Sequence, residues 1–115
     1  KRGKNADTKR LTAIESQALY QAMPNRARVI ALDVKGRTWS TERLAVQLER
    51  WMGEGRDVGF MIGGPDGIDH DIMQKADDRW SLGPLTLPHP LVRVVLAEQL
   101  YRAWTITQNH PYHRA

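Results

Sequence analysis

The sequence predicts an α/β fold, a mostly parallel sheet with helices on both faces. Three observations carry this. "ARVIALDV" (27–34) and "DVGFMIGG" (57–64) are short, β-branched and almost continuously apolar, which suits strands covered on both faces. Longer stretches with apolar residues at helical spacing alternate with them, the pattern of βα units joined into a parallel sheet. Two Gly/Pro-rich loops, "GGPDG" and "LGPLTLPHP", follow these elements, and ligands of such sheets bind outside the carboxyl ends of the strands.

Taken in order, residues 6–23 read as a helix that Asp7 or Thr8 can cap, with Leu11, Ile14 and Ala18 at helical spacing, and Pro24 and Asn25 stop it. The strand 27–34 follows, and "KGRTW" is expected to turn the chain. Ser40 or Thr41 caps the next helix, Glu42 lies in its first turn, Leu44, Leu48 and Trp51 form its buried stripe, and Gly53 and Gly55 end it. After the strand 57–64, residues 68–80 are expected to form a short helix. "PLTLP" is expected as a third, very short strand. A last helix runs from Pro90, in the favoured first-turn position, to about residue 108, and "NHPYHRA" is the tail.

With 115 residues the chain is expected to be one domain, 1–115. A hydrophobic fraction of 41% beside 26% charged residues is ordinary for a globular protein. No apolar run approaches the roughly 18 residues of a membrane helix, and the polar start is no signal peptide. The absence of cysteine excludes disulfides and thiolate metal sites. A net charge of +4 and a pI near 9.8 suit an anionic partner such as nucleic acid. The chain opens on "KRGKNADTKR", without an initiating methionine, and part of the fold is expected to precede it. Without such strands, the first visible strand would be an exposed apolar edge.

The last helix is apolar around nearly its whole circumference, from Leu91, Val92, Val94 and Val95 through Leu100, Ala103, Trp104 and Ile106. A helix of that kind is buried all round. A domain this small covers one side of it, so the other side is expected to meet a second copy in a homodimer. Glu98 and Arg102 fall at i,i+4 and can pair. Arg93 has apolar helical neighbours, so it is either an interface ion-pair member or aimed into a site.

Several motifs admit two readings. "IGGPDG" at a strand end is either a plain tight turn or a ligand loop, since glycines let backbone groups approach closely; it lacks the spacing of dinucleotide- and ATP-binding loops. "DGIDHD" offers Asp66, Asp69, His70 and Asp71 as in a metal hydrolase, but neighbours on a helix diverge, and a solvated helix start is favoured. His89, His110 and His113 are too loosely spaced for a metal site, and no metal is expected. "HPYHRA" mixes side chains that stack on bases and hold phosphates, or is a frayed terminus. A non-catalytic basic RNA-binding module is therefore an alternative to an enzyme.

"IGGPDG", "LTLPHPLVRVVLAEQLYRAW" and "NHPYHRA", in this order and spacing, closely resemble the bacterial large-subunit ribosomal RNA methyltransferases of the RlmH type, in the SPOUT superfamily. "KRGKNAD" and "LERWMGEGRDV" resemble that family as well. Family members have a further strand, helix and strand before "KRGKNAD", so the chain resembles the family without its N-terminal portion. The resemblance implies a deep C-terminal trefoil knot and a cytoplasmic, homodimeric enzyme paired through its C-terminal helix. It also implies S-adenosylmethionine-dependent methylation of N3 of a pseudouridine in a 23S rRNA stem-loop, on the assembled 70S ribosome.

Carried over by position, the resemblance assigns cofactor contacts to Leu32, Gly63, Leu82, Gly83, Pro84, Leu85, Thr86 and Leu87. Backbone groups would hold adenine and ribose while the apolar side chains line the pocket. Gly83 and Pro84 depart from the family's usual residues in the middle of that loop, a change that backbone recognition tolerates. His89 and Arg93 become the candidates for managing the N3 proton, and Arg102, Tyr112, His113 and Arg114 for gripping rRNA.

Overall fold

A computed structural model describes the backbone of residues 2–63, 66–85 and 87–114, and the side chains of these from residue 7 to residue 113. Three parallel strands form the sheet in the order β2-β1-β3: β1 is Arg28–Thr38, β2 is Val58–Ile62 and β3 is Asp78–Ser81. Helices α1 (Arg2–Ala22) and α3 (His70–Lys75) lie on one face, and α2 (Thr41–Glu54) and α4 (His89–Thr107) on the other. The α/β architecture with both faces covered agrees with the expectation from sequence.

Alternation along β1 divides the core in two. Ile30 and Leu32 point to the α2/α4 face, where they join Leu44, Ala45, Trp51, Trp80, Leu96 and Ala103. Val29 and Ala31 point to the α1/α3 face and meet Met61, Ile68, Ile72 and Ala76. Four aromatic rings bind the larger cluster together. Trp39 stacks on Trp80 at 5.4 Å and tilts against Trp51 at 6.1 Å, while Phe60 meets the edge of Trp51 at 6.0 Å. At the amino end of the sheet, Arg28 donates from Nε to Asp78 at 2.7 Å and from Nη1 to Glu54 at 2.9 Å, tying β1 to β3 and to the end of α2.

Three expectations are corrected. "KGRTW" does not end the strand: residues 33–36 bulge out, since Leu32 and Arg37 both pair with Trp80, and β1 resumes to Thr38. Gly36 makes this possible, because a Cβ there would lie 2.7 Å from the backbone of Arg79 and Trp80. The third strand is not "PLTLP". It is Asp78–Ser81, which the sequence reading had assigned to a helix; α3 stops at Lys75, Ala76 turns extended, and Asp77 docks on Val29 through its N–H and through its carboxylate, both at 2.8 Å. Finally, β1 is the central strand and not an exposed edge; the edges are β2 and β3.

The helices follow their local signals. Ser40 caps α2 by accepting the Arg43 N–H at 3.0 Å, and Gly55 closes it in the left-handed conformation at φ 69°. Ser40→Ala is expected to cost about 1 kcal/mol in urea unfolding with no loss of helix content; an unchanged midpoint would show the cap to be irrelevant. The Leu44, Leu48, Trp51 stripe packs inward as expected. In α1, Leu11, Ile14 and Ala18 are exposed, and Ser16, Tyr20 and Met23 make its contacts. Along α4, Leu96 and Ala103 are buried in the cluster with α2 and Thr105 is buried as well, whereas Leu91, Val94, Tyr101 and Trp104 remain 43–63% exposed.

Candidate active site

The bulge in the middle of β1 and the carboxyl ends of β2 and β3 open into one cavity of about 750 Å³. That volume suits a drug-sized ligand, for which pockets run about 300–1,000 Å³. Its floor is Leu32 and Ile62, the last core positions of β1 and the end of β2. The bulge of β1 supplies Asp33, Val34 and Lys35. The loop after β3 supplies Leu82, Gly83, Leu85 and Leu87, and Val92 of α4 closes that side. Opposite, Gly67, Ile68 and His70 lead into Met73 of α3.

The glycines set the shape of this space. At Gly63 a Cβ would lie 2.7 Å from the Gly67 carbonyl carbon and 2.8 Å from its oxygen, so the loop after β2 folds back on itself only around glycine. Gly67 is left-handed at φ 80°, and a Cβ there would come 3.3 Å from an Asp33 carboxylate oxygen. The other Asp33 oxygen accepts the Lys35 N–H at 2.9 Å, which braces the bulge. Gly83 takes φ 134° with open space around it, and the Ser81 hydroxyl bonds both its N–H and its carbonyl at 3.1 Å.

The lining combines aliphatic walls, bare backbone at three glycines, two carboxylates in Asp33 and Asp66, and two cations in Lys35 and Arg79. Such a set suits a ligand with a flat apolar part and separate charged groups. Of the residues assigned from sequence, Leu32, Gly63, Leu82, Gly83, Leu85 and Leu87 come together here. Pro84 is exposed outside the lining, and Thr86 lies outside the described residues. His89 and Arg93 do not line the cavity; both stand exposed at the start of α4, one turn apart, on either side of Val92. Asp69 caps α3, accepting the Asp71 N–H at 3.2 Å and donating its own N–H to Ser16, as the helix-start reading of "DGIDHD" expects. Among the described residues, no three His, Asp or Glu side chains gather as a metal site.

The RNA-binding candidates lie elsewhere on α4 and the 3₁₀ turn Pro111–Arg114. Arg102 pairs with Glu98 at 3.1 Å, and the Tyr112 hydroxyl donates to Glu98 at 2.8 Å. The His113 ring meets the His110 carbonyl at 2.9 Å, and the Arg114 side chain lies outside the described ones. Hydrogen bonds from Arg102 and then Tyr112 hold the Glu98 carboxyl below its ordinary value, and the bond to Glu98 raises the Tyr112 phenol above its own. Docking of the turn on α4 therefore holds from the ordinary carboxylate pKa up to the ordinary phenol pKa. It weakens in acid as pH falls through the lowered Glu98 pKa, and in alkali as pH rises through the raised Tyr112 pKa. Exchange of the Tyr112 and His113 amides across pH, corrected for intrinsic rates, is expected to show protection lost at both ends, and a flat profile would refute the assignment.

Sequence reasoning missed Asp33, His70 as a lining residue, Met73 and Val92, while Ile62 and Gly67 fall within the possible ligand loop "IGGPDG". Only Asp33 carried a signal, a carboxylate ending an apolar strand.

A family model described as "Predicted SPOUT methyltransferase" matches residues 1–113. The chain belongs to the SPOUT methyltransferase family. Among curated SPOUT relatives it is similar to the Ribosomal RNA large subunit methyltransferase H of Pseudomonas fluorescens, 52% identical over 113 residues, covering 98% of this chain and 73% of the relative. It is likewise similar to the protein of that name from Chromohalobacter salexigens, 55% identical over 114 residues, covering 99% of this chain and 74% of the relative. The three-stranded parallel sheet and its cavity are thus those of a SPOUT methyltransferase chain. No described helix of this SPOUT chain is long and apolar enough to cross a membrane.

Proposed function

We propose that residues 1–115 form a single methyltransferase domain that methylates N3 of a pseudouridine in 23S rRNA, on the large subunit or 70S ribosome in the cytoplasm, with S-adenosylmethionine as donor. The observation that supports this best is the convergence of Leu32, Gly63, Leu82, Gly83, Leu85 and Leu87 on one cavity of suitable size, in a chain more than half identical to proteins named as large-subunit rRNA methyltransferases.

The cavity's residues fit the donor. Leu32, Ile62, Leu85 and Leu87 offer apolar faces for adenine, the backbone at Gly63 and Gly83 offers hydrogen-bonding groups, and Asp33 and Asp66 offset positive charge. When bound, S-adenosylmethionine supplies a methyl group activated by its sulfonium. This chain's part is orientation, which accounts for much of the acceleration of an in-line displacement. Before it takes the methyl group, N3 must give up its proton. His89 is suited to accept it, or Arg93 to stabilise the anion left behind, and both face solvent beside Val92 at the cavity wall.

The exposed apolar side of α4 supports a homodimer. Leu91, Val94, Tyr101 and Trp104 make a continuous strip beside an apolar groove of about 440 Å³ lined by Met52, Val58 and Phe60. Sedimentation equilibrium is expected to give twice the 13.1 kDa chain mass, and Val94→Asp to shift it toward one chain; a wild-type monomer at high micromolar concentration would remove the dimer.

The deciding experiment is transfer of labelled methyl from S-adenosylmethionine to 70S ribosomes, to free rRNA, and to ribosomes lacking the target pseudouridine. Incorporation is expected in the first alone. Equal incorporation in all three would overturn the substrate.

A further inference from the structure

Glu98 is the hub of a cluster joining α4 to the C-terminal turn. Its carboxylate accepts from Arg102 Nε at 3.2 Å and Nη2 at 3.1 Å, and from the Tyr112 hydroxyl at 2.8 Å. The same guanidinium reaches the His113 carbonyl from Nη1 at 3.4 Å and lies 5.1 Å from the centre of the Tyr112 ring. Tyr101 meets that ring edge-on at 4.8 Å. Two residues expected to hold RNA phosphates are therefore turned onto one carboxylate of their own chain.

A Glu–Arg pair at this spacing needs no third member. What Glu98 adds is the link between helix and turn: one oxygen takes both the guanidinium and the phenol, so the ring and the following His113 backbone are fixed relative to α4 by charge-assisted bonds. Removing the carboxylate leaves the guanidinium next to the ring but frees the phenol to swing. Removing the hydroxyl leaves the ion pair but takes away the carboxylate's direct hold on the turn.

We propose that Glu98 is a positioning residue for the reaction, holding Tyr112 and Arg102 in the arrangement from which the turn Pro111–Arg114 meets the RNA substrate. This rests on the rRNA reading above. Glu98 touches neither donor nor acceptor; it acts through the turn, so its effect falls on recognition of the ribosome and not on the donor cavity.

The test is a double-mutant cycle on the full chain with 70S ribosomes as substrate. Glu98→Ala and Tyr112→Phe are each expected to raise the KM for ribosomes roughly tenfold, the scale of one lost charge-assisted bond, with kcat and S-adenosylmethionine affinity by calorimetry unchanged. The double variant is expected to be no worse than Glu98→Ala, since both remove the same link. Glu98→Gln, whose amide oxygen still accepts from Tyr112, is expected to recover most of the loss. Additive losses, a wild-type KM in Glu98→Ala, or a parallel fall in donor affinity would overturn the proposal. Should Glu98→Ala fail to fold, Tyr112→Phe beside Glu98→Gln carries the test: a raised KM in the first and a near wild-type KM in the second are expected, and a wild-type KM in Tyr112→Phe overturns the proposal. If the wild-type chain methylates no ribosome, the functional reading fails by itself. Exchange of the Tyr112 and His113 amides then still decides the clasp: faster exchange in both single variants supports it, and unchanged exchange overturns it.

Discussion

Gly63→Ala is expected to weaken S-adenosylmethionine binding at least tenfold and to cost about 1–3 kcal/mol of stability, the range for overpacking a tight site. The added methyl would sit 2.7–2.8 Å from the Gly67 carbonyl and from Ile68, and the first of these is backbone. Toward β1 the loop meets the Asp33 carboxylate, which stands 3.3 Å from where a Gly67 Cβ would lie. The loop is thus forced outward, which takes Gly67 and Ile68 away from the cavity they line. Calorimetry with S-adenosylmethionine and urea unfolding together read the two effects. Wild-type affinity with an unchanged midpoint would mean that the loop has slack which the close contacts do not reveal.

The second large effect lies in the core. Trp51→Ala is expected to cost about 3–5 kcal/mol, as large aromatic truncations do, out of a total of about 5–15 kcal/mol for a domain of this kind. Trp51 is 1% exposed, and it touches both Trp39 and Phe60, so its loss opens a space between α2, β2 and the end of β1 that only large side chains border. Trp51→Phe, which keeps a ring in contact with both neighbours, is expected to cost less. Urea midpoints compare the pair, and equal losses would locate the effect in the indole's particular shape and not in the filled volume.

The parts of this fold that were legible are those fixed by neighbours in sequence. Ser40 and Gly55 bracket α2, and the apolar runs of β1 and β2 declare buried strands without help from elsewhere. β3 was illegible because "DRWS" carries two charges in four residues. It is a strand because Asp77 docks on Val29 and Arg28 holds Asp78, contacts made across about 50 residues. "PLTLP" has the better strand composition, yet prolines cannot donate to a ladder, and its described residues, 84, 85, 87 and 88, lie in no strand. The bulge of β1 depends on Gly36 approaching Trp80, which no local pattern announces. The candidate site divides the same way. The two glycine-containing loops were visible as interruptions, whereas His70, Met73 and Val92 reach the cavity only after helices α3 and α4 have packed.

The central place of β1 also governs how the chain can fold. Neither of its partners is a hairpin neighbour: Val29 meets Asp77 across 48 residues, and Arg26 meets Arg56 across 30. Each pairing must close a long loop before any ladder bond is gained, and such topologies fold more slowly than helical bundles or hairpins of the same size. The cavity needs the bulge of β1 together with the carboxyl ends of β2 and β3, so it takes shape only when the second of these closures is complete. Capture of a ligand there would report the last event of folding and not an early one.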